Sequence, residues 1–335
     1  MNKDLSVKSG RILLLIIFCI PLLLMGQSQD KQTSSSNQLP RMEDWFLSTG
    51  DWKKDPQLYV REFGDGSEII VMLHGGWGAE HSGLLEAVKD LKSQYRFIFY
   101  DQRGSLRSPC PDSLISFKNH IEDLELLRQE LKLEKLNIVG HSMGAVLACA
   151  YAAQYPQKIK KLTLVTPAFL KNPFPEEDKE LQNQEYQAMQ AFLKRPEVIQ
   201  ELDKYSLNRK TPPLTSREET SKSRIEFAAR MLSDVRRWPY MTGGGALYKG
   251  KVFQLTERTY PLSGWDYPQE FKRAAYPVSI IVAEHDWLDF GNNLVKKWVK
   301  GIPTVKLSTV KNAGHLIWID QPAAFSEELS KHLKQ

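Results

Sequence analysis

Short apolar runs recur along the chain, separated in many places by stretches that mix apolar and charged residues. Leu58 to Phe63, Glu68 to Leu73, Tyr95 to Tyr100, Lys135 to Val139, Leu162 to Thr166, Val278 to Val282 and Val305 to Val310 are rich in β-branched and aromatic residues and predict strands. Ile69-Ile70-Val71-Met72-Leu73 is apolar without a break, which is what a strand covered on both faces requires. Between Ile121 and Leu131 the apolar positions follow a helical spacing instead. Strand and helix patterns that alternate in this way give the βαβ rhythm of a mainly parallel sheet, so the expected fold class is α/β.

That rhythm breaks between about Asn172 and Asp266. Helical patterns run there without strands, over Lys179 to Leu193, Pro196 to Leu207 and Arg217 to Met231, followed by Arg236-Arg237-Trp238-Pro239 and Gly243-Gly244-Gly245. An all-helical insertion between strands of a parallel sheet emerges at the end where ligands bind, so a cap over residues 171–266 is expected, flanked by core segments 45–170 and 267–335. Trp238 and the glycine run are candidates for its moving part and for contact with substrate.

The N-terminus departs from the pattern. Lys3, Lys8 and Arg11 precede fourteen residues, Ile12 to Met25, that are apolar apart from Pro21. A positive start, a short apolar run and a Leu24-Met25-Gly26 ending predict a signal peptide over residues 1–26 and export to the periplasm or medium. The run is shorter than the roughly 20 residues of a membrane span, and an uncleaved anchor is the alternative. Residues 27–44 read as a flexible linker rich in Ser and Gln.

Composition and charge then narrow the chemistry. The chain of 335 residues is 41% hydrophobic and 25% charged, with 45 Lys and Arg against 40 Asp and Glu. These charges are interspersed rather than gathered in a basic stripe, so nucleic acid is not an expected partner. Beyond the leader, the cysteines are Cys110, between two prolines, and Cys149, on an apolar helix, both expected as free, buried thiols. No Cys/His spacing resembles a zinc site, and neither a metal nor a cofactor is expected.

Gly140-His141-Ser142-Met143-Gly144 lies between the strand ending at Val139 and the small-residue helix that starts at Ala145. A Gly-x-Ser-x-Gly between strand and helix puts the serine at the apex of a strained turn, with its hydroxyl bare near a helix N-terminus. A serine hydroxyl needs a base to take its proton, and the base needs a carboxylate to orient it. His315, in the loop after the strand ending at Val310, and Asp286, after the strand ending at Val282, supply both at strand ends. Glu284 and Asp289 compete with Asp286 for the acid role. His74-Gly75-Gly76-Trp77-Gly78 follows Leu73, and its backbone is suited to stabilise an oxyanion together with the N–H of Met143. Gly76 is the expected donor and Trp77 the alternative. His74 is expected to organise this loop by hydrogen bonds, and His141 to pack beside the nucleophile. Activity is expected to fall at acid pH, where a charged His315 cannot accept the proton.

From about Tyr59 to Leu333 the sequence resembles the α/β-hydrolase superfamily, whose triad has the order Ser142, Asp286, His315. That resemblance implies a mainly parallel eight-stranded sheet flanked by helices, with the cap inserted before the acid-bearing strand. His74-Gly75-Gly76, the segment Asp101-Gln102-Arg103-Gly104-Ser105-Leu106-Arg107-Ser108 and the segment Glu122-Asp123-Leu124-Glu125-Leu126-Leu127-Arg128 are similar to the proline iminopeptidase branch, which removes N-terminal residues from short peptides and holds the free amine with acidic residues. Trp77 stands where that branch has Pro, and His141-Ser142-Met143 where it typically has Gly-Ser-Trp. Glu176 and Glu177 are the candidates for a substrate ammonium, although acids are favoured at a helix start whatever the function. Asp101 and Arg103 are expected to tie neighbouring loops together. The resemblance thus implies a serine hydrolase working through an acyl-enzyme on a short peptide or other small molecule. An aminopeptidase is the first expectation, a carboxylic ester hydrolase the alternative, and a non-catalytic ligand-binding fold the second alternative.

Overall fold

The computed structural model describes residues 42–241, 248–288 and 292–334. The signal-peptide reading, Gly243-Gly244-Gly245 and Asp289 lie outside the described residues. Among the described residues ten strands occur: β1 Asp44–Ser48, β2 Gln57–Phe63, β3 Glu68–Leu73, β4 Tyr95–Tyr100, β5 Leu136–His141, β6 Ile159–Val165, β7 Lys171–Asn172, β8 Trp265–Asp266, β9 Val278–Ala283 and β10 Val305–Val310. The helices are α1 Ser82–Val88, α2 Phe117–Glu130, α3 Met143–Gln154, α4 Lys179–Leu193, α5 Pro196–Lys204, α6 Ser216–Met231, α7 Gly250–Glu257, α8 Tyr267–Phe271, α9 Asn292–Val299, α10 Ile317–Asp320 and α11 Pro322–Leu333.

Eight strands form one sheet in the order β1-β2-β4-β3-β5-β6-β9-β10. β1 and β2 pair antiparallel, β2 meets β4 antiparallel, and the remaining pairs are parallel. β1 starts inside the segment expected to be linker, because its backbone pairs with β2 from Asp44 onward. Successive strand residues face opposite ways, so the unbroken apolar runs feed two cores. Val71, Leu73, Ile138, Ile280 and Val282 pack with α2 and α3 on one face. Ile70, Met72, Val139, Ile281 and Ala283 pack with α1 and α11 on the other. β10 is one of the two outer strands, and it carries the exposed Lys306 that discourages further pairing.

The strand order positions the site. From β3 the chain moves to β4 and then returns to the other side of β3 as β5, so the loops after β3 and β5 flank the crevice where connections diverge. The helical insertion α4 to α7 leaves through β7 and returns through β8, and those two strands pair with each other, Lys171 opposite Asp266 and Asn172 opposite Trp265. Thr215 caps α6 and exchanges hydrogen bonds with Glu218 in a capping box, which fixes where that cap helix begins.

Behind the crevice lies a charged frame. Arg103 Nε donates to Asp123 Oδ2 at 3.0 Å and its Nη2 to Oδ1, a two-pronged pair in which both side chains are buried. Burial pushes the Asp123 carboxyl up to about 6 even though the guanidinium pulls it down. Asp101 accepts from His81 Nδ1 at 2.6 Å and from the Arg107 backbone at 3.2 Å. Glu80, His81 and Asp101 place ligand atoms within 4.8 Å of one another, but Arg107 Nη1 already bridges the two carboxylates, at 2.8 Å from Glu80 and 3.3 Å from Asp101.

Because removing one member strands the other charge, Asp123→Ala is expected to lower the unfolding free energy by about 3–5 kcal/mol at pH 8, read by urea denaturation.

Candidate active site

Ser142 sits between β5 and α3 at φ +53° and ψ −120°, a conformation that L-residues adopt only under constraint. The constraint is visible. The Ser142 N–H donates to Val165 O at 3.1 Å, and its carbonyl accepts from Ala145 at 2.9 Å and Ala168 at 3.3 Å. At Gly144 a Cβ would stand 2.3 Å from Leu73 O, so only glycine lets α3 approach β3 this closely. On the other side, a Cβ on Gly75 would meet Ser142 Cβ at 2.7 Å, which shows how tightly the loop after β3 lies against the serine.

His315 follows β10 and is buried, as is Asp286 after β9. Both carboxylate oxygens of Asp286 lie near His315 Nδ1, at 3.0 and 3.1 Å. With Nδ1–H directed to that carboxylate, Nε2 is the nitrogen that accepts a proton. Asp286 is itself oriented by the Leu288 N–H at 3.2 Å. Glu284, the competing acid, is exposed and accepts the Asn312 N–H at 2.9 Å, so it caps the base-bearing loop rather than facing the imidazole.

Ser142 and His315 open on one cavity of about 420 Å³, which Gly75, Gly76 and Met143 also line. Met143 begins α3, so its N–H has no acceptor inside the helix and is available to a developing oxyanion. Trp77 does not line the cavity. Its ring is buried, stacks on His120 at 4.8 Å and donates from the indole N–H to Tyr260 at 2.6 Å, so its side chain anchors the glycine loop in the core.

Two other histidines border the cavity without charge. His74 Nε2 accepts the Gln102 N–H at 3.0 Å, so Nδ1–H donates to Gly75 O at 3.0 Å, and burial holds its pKa down. His141 Nε2 donates to His315 O at 3.3 Å, and burial places its pKa well below the ordinary value. Of the thiols, Cys149 is buried and Cys110 only half-buried.

The expected substrate-binding acids lie elsewhere. Glu176 is exposed and pairs with Lys179, while Glu177 is exposed and lines no part of the cavity. They fulfil the helix-start role, ahead of α4. Trp238 is half-buried and donates to Glu201 at 2.9 Å, inside the cap and away from the cavity. The cavity wall is built instead from Leu84 and Phe169, from Phe227 and Met231 of α6, from Phe253 of α7 and from Trp318. Among the described residues its two acids are already engaged: Glu80 is held by Ser82 and Arg107, and Glu86 is exposed and pairs with Lys89.

A family model for the alpha/beta hydrolase fold matches residues 68–322. The chain belongs to this α/β-hydrolase family. It is similar over most of its length to the proline iminopeptidase of Lactobacillus delbrueckii subsp. bulgaricus, 24% identical over 304 residues that cover 86% of this chain and 96% of the relative. The probable lysophospholipase BODYGUARD 2 of Arabidopsis thaliana is 45% identical over 84 residues, 24% of this chain, and the match spans only 18% of that longer protein. Among solved structures, a putative aryl esterase from Burkholderia cenocepacia superposes with a TM-score of 0.62 at 19% identity, covering 87% of this chain and 98% of its own.

The reading from sequence missed the apolar cavity wall, although Phe227 and Met231 stand four residues apart on one side of α6 and could have signalled it. It also missed His120 as a support. Thr256 Oγ1 donates to Val252 O, so it accepts from His120 Nε2 at 3.1 Å, and the buried Nδ1 has no partner among the described residues. Burial holds this histidine's pKa at about 3. The unfolded chain, titrating near 6.5, takes up the proton first as pH falls, so stability is full above about 6.5 and declines down to about 3. Wild-type stability is expected to fall by up to about 1.4 kcal/mol per pH unit from this group between pH 6 and 4, and His120→Gln to flatten that slope in urea titrations.

Proposed function

We propose that this hydrolase is a serine carboxylic ester hydrolase for substrates with apolar acyl groups. The observation that carries this reading is the cavity beside Ser142: its wall is aromatic and aliphatic, and of the acids on it Glu80 is paired with Arg107 and Glu86, at the exposed rim, with Lys89. An ammonium group entering this space would lose its hydration and, among the described residues, meet no carboxylate left unpaired to receive it. An alkyl or aryl acyl chain would instead be buried favourably, at about 25 cal/mol per Å².

In this reading Ser142 Oγ attacks the ester carbonyl while His315 Nε2 takes its proton, and Asp286 stabilises the imidazolium. The tetrahedral oxyanion is held by the N–H groups of Gly76 and Met143. His315 then protonates the leaving alcohol, and an activated water clears the acyl-enzyme. The second reading, an aminopeptidase, is favoured by the length of the match to a proline iminopeptidase.

An uncharged aryl ester and an aminoacyl arylamide, offered to the same preparation, separate the two. Ester turnover with little arylamidase activity is expected, and Ser142→Ala is expected to reduce kcat about 10⁴-fold or more. Turnover of a prolyl arylamide faster than of the ester would replace this proposal with the peptidase reading.

A further inference from the structure

The residues that hold the catalytic loops come from the cap as well as from the core. The chain leaving α6, Met231 to Asp234, runs against the loop that carries His315. Leu316 N–H donates to Met231 O at 3.1 Å, and Gly314 lies so close that a Cβ there would be 2.6 Å from the same carbonyl. Next to this contact Asp320, buried at the end of α10, accepts three backbone N–H groups: Ser233 at 2.7 Å, Gly314 at 2.8 Å and Asp234 at 3.2 Å. One carboxylate thus joins the residue before His315 to two residues of the cap.

Ser233 reaches the acid loop too. Its Oγ lies 2.8 Å from Nδ1 of His285, the residue before Asp286, and the His285 N–H donates to Ala313 O at 2.9 Å. A single cap residue is therefore tied to the neighbours of both the base and the acid, through Asp320 on one side and through its own hydroxyl on the other. The same segment, through Met231, forms part of the cavity wall.

We infer that Ser233 and Asp320 are positioning residues: they brace the His315 loop and the Asp286 loop against the cap, so that seating of the cap and assembly of the histidine–aspartate pair are one event. The inference rests on the assignment of Ser142, His315 and Asp286 to catalysis. The brace acts through distance and angle. Near-attack geometry is unforgiving, and a displacement of about 1 Å at His315 is enough to cost up to about 100-fold in rate.

The test uses the full chain with an aryl ester, counting active sites by fluorophosphonate labelling of Ser142 so that unfolded protein does not enter kcat. Asp320→Asn replaces a charged acceptor with an amide that cannot accept at its nitrogen. It is expected to lower kcat per titrated site by about tenfold or more with KM within about twofold of wild type. Ser233→Ala is expected to lower kcat by about threefold or more, Ser233→Thr to restore it, and the double variant to show less than the product of the two losses. Should Asp320→Asn fail to fold, the Ser233 pair decides alone. An unchanged kcat per site, a loss confined to KM, or a Ser233→Thr variant as impaired as Ser233→Ala would overturn the inference. Wild-type protein that does not label at Ser142 would remove the catalytic assignment beneath it, a separate result.

Discussion

The site depends on one constrained turn. Ser142 holds a left-handed backbone conformation because β5, α3 and the loop after β3 press on it from three directions, and each contact is satisfied by a backbone hydrogen bond or by a missing side chain. The strain is sustained by the sheet, whose central strands are buried on both faces and cannot shift without opening two cores.

Charge is arranged around that turn so that little of it reaches the cavity. Arg103 is spent on Asp123, and Arg107 on Glu80 and Asp101. His74 and His141 are kept neutral by burial. What faces a ligand, beside the ion-paired Glu80 and Glu86 and the rings of Tyr240 and Tyr248, is a serine, an imidazole, a few backbone N–H groups and an apolar wall. Against an apolar wall a developing oxyanion interacts more strongly with fixed N–H donors than it would in bulk water. The polar chemistry is thereby concentrated at one point and the binding energy is left to apolar contact.

The cap shares in this economy. Its α6 places Phe227 and Met231 on the cavity and then passes Ser233 to the two catalytic loops. Substrate enclosure and imidazole placement are in this way mechanically connected, through hydrogen bonds that belong to neither the sheet nor the cap alone.

Several features could be read from the chain itself, because they are local. The strand runs, the helix between Ile121 and Leu131 and the turn at Ser142 follow from spacing and from glycine, and the α/β class follows from their alternation. The order Ser142, Asp286, His315 and the break in rhythm at residue 171 also lie on the surface of the sequence. The edge strand β1 did not, because its five residues are too few and too mixed to signal a strand until β2 pairs with them, although only Asp44 fell inside the expected linker. Glu176, Glu177 and Trp238 carried a chemically sensible signal, but a side chain's direction is set by packing. Packing turned them to solvent or to Glu201. The cavity's character, the inward placement of Trp77 and the link from Ser233 to Asp320 were decided only by tertiary structure. Each joins residues tens to nearly two hundred positions apart, and no local pattern in a single chain records which distant side chains will share a space.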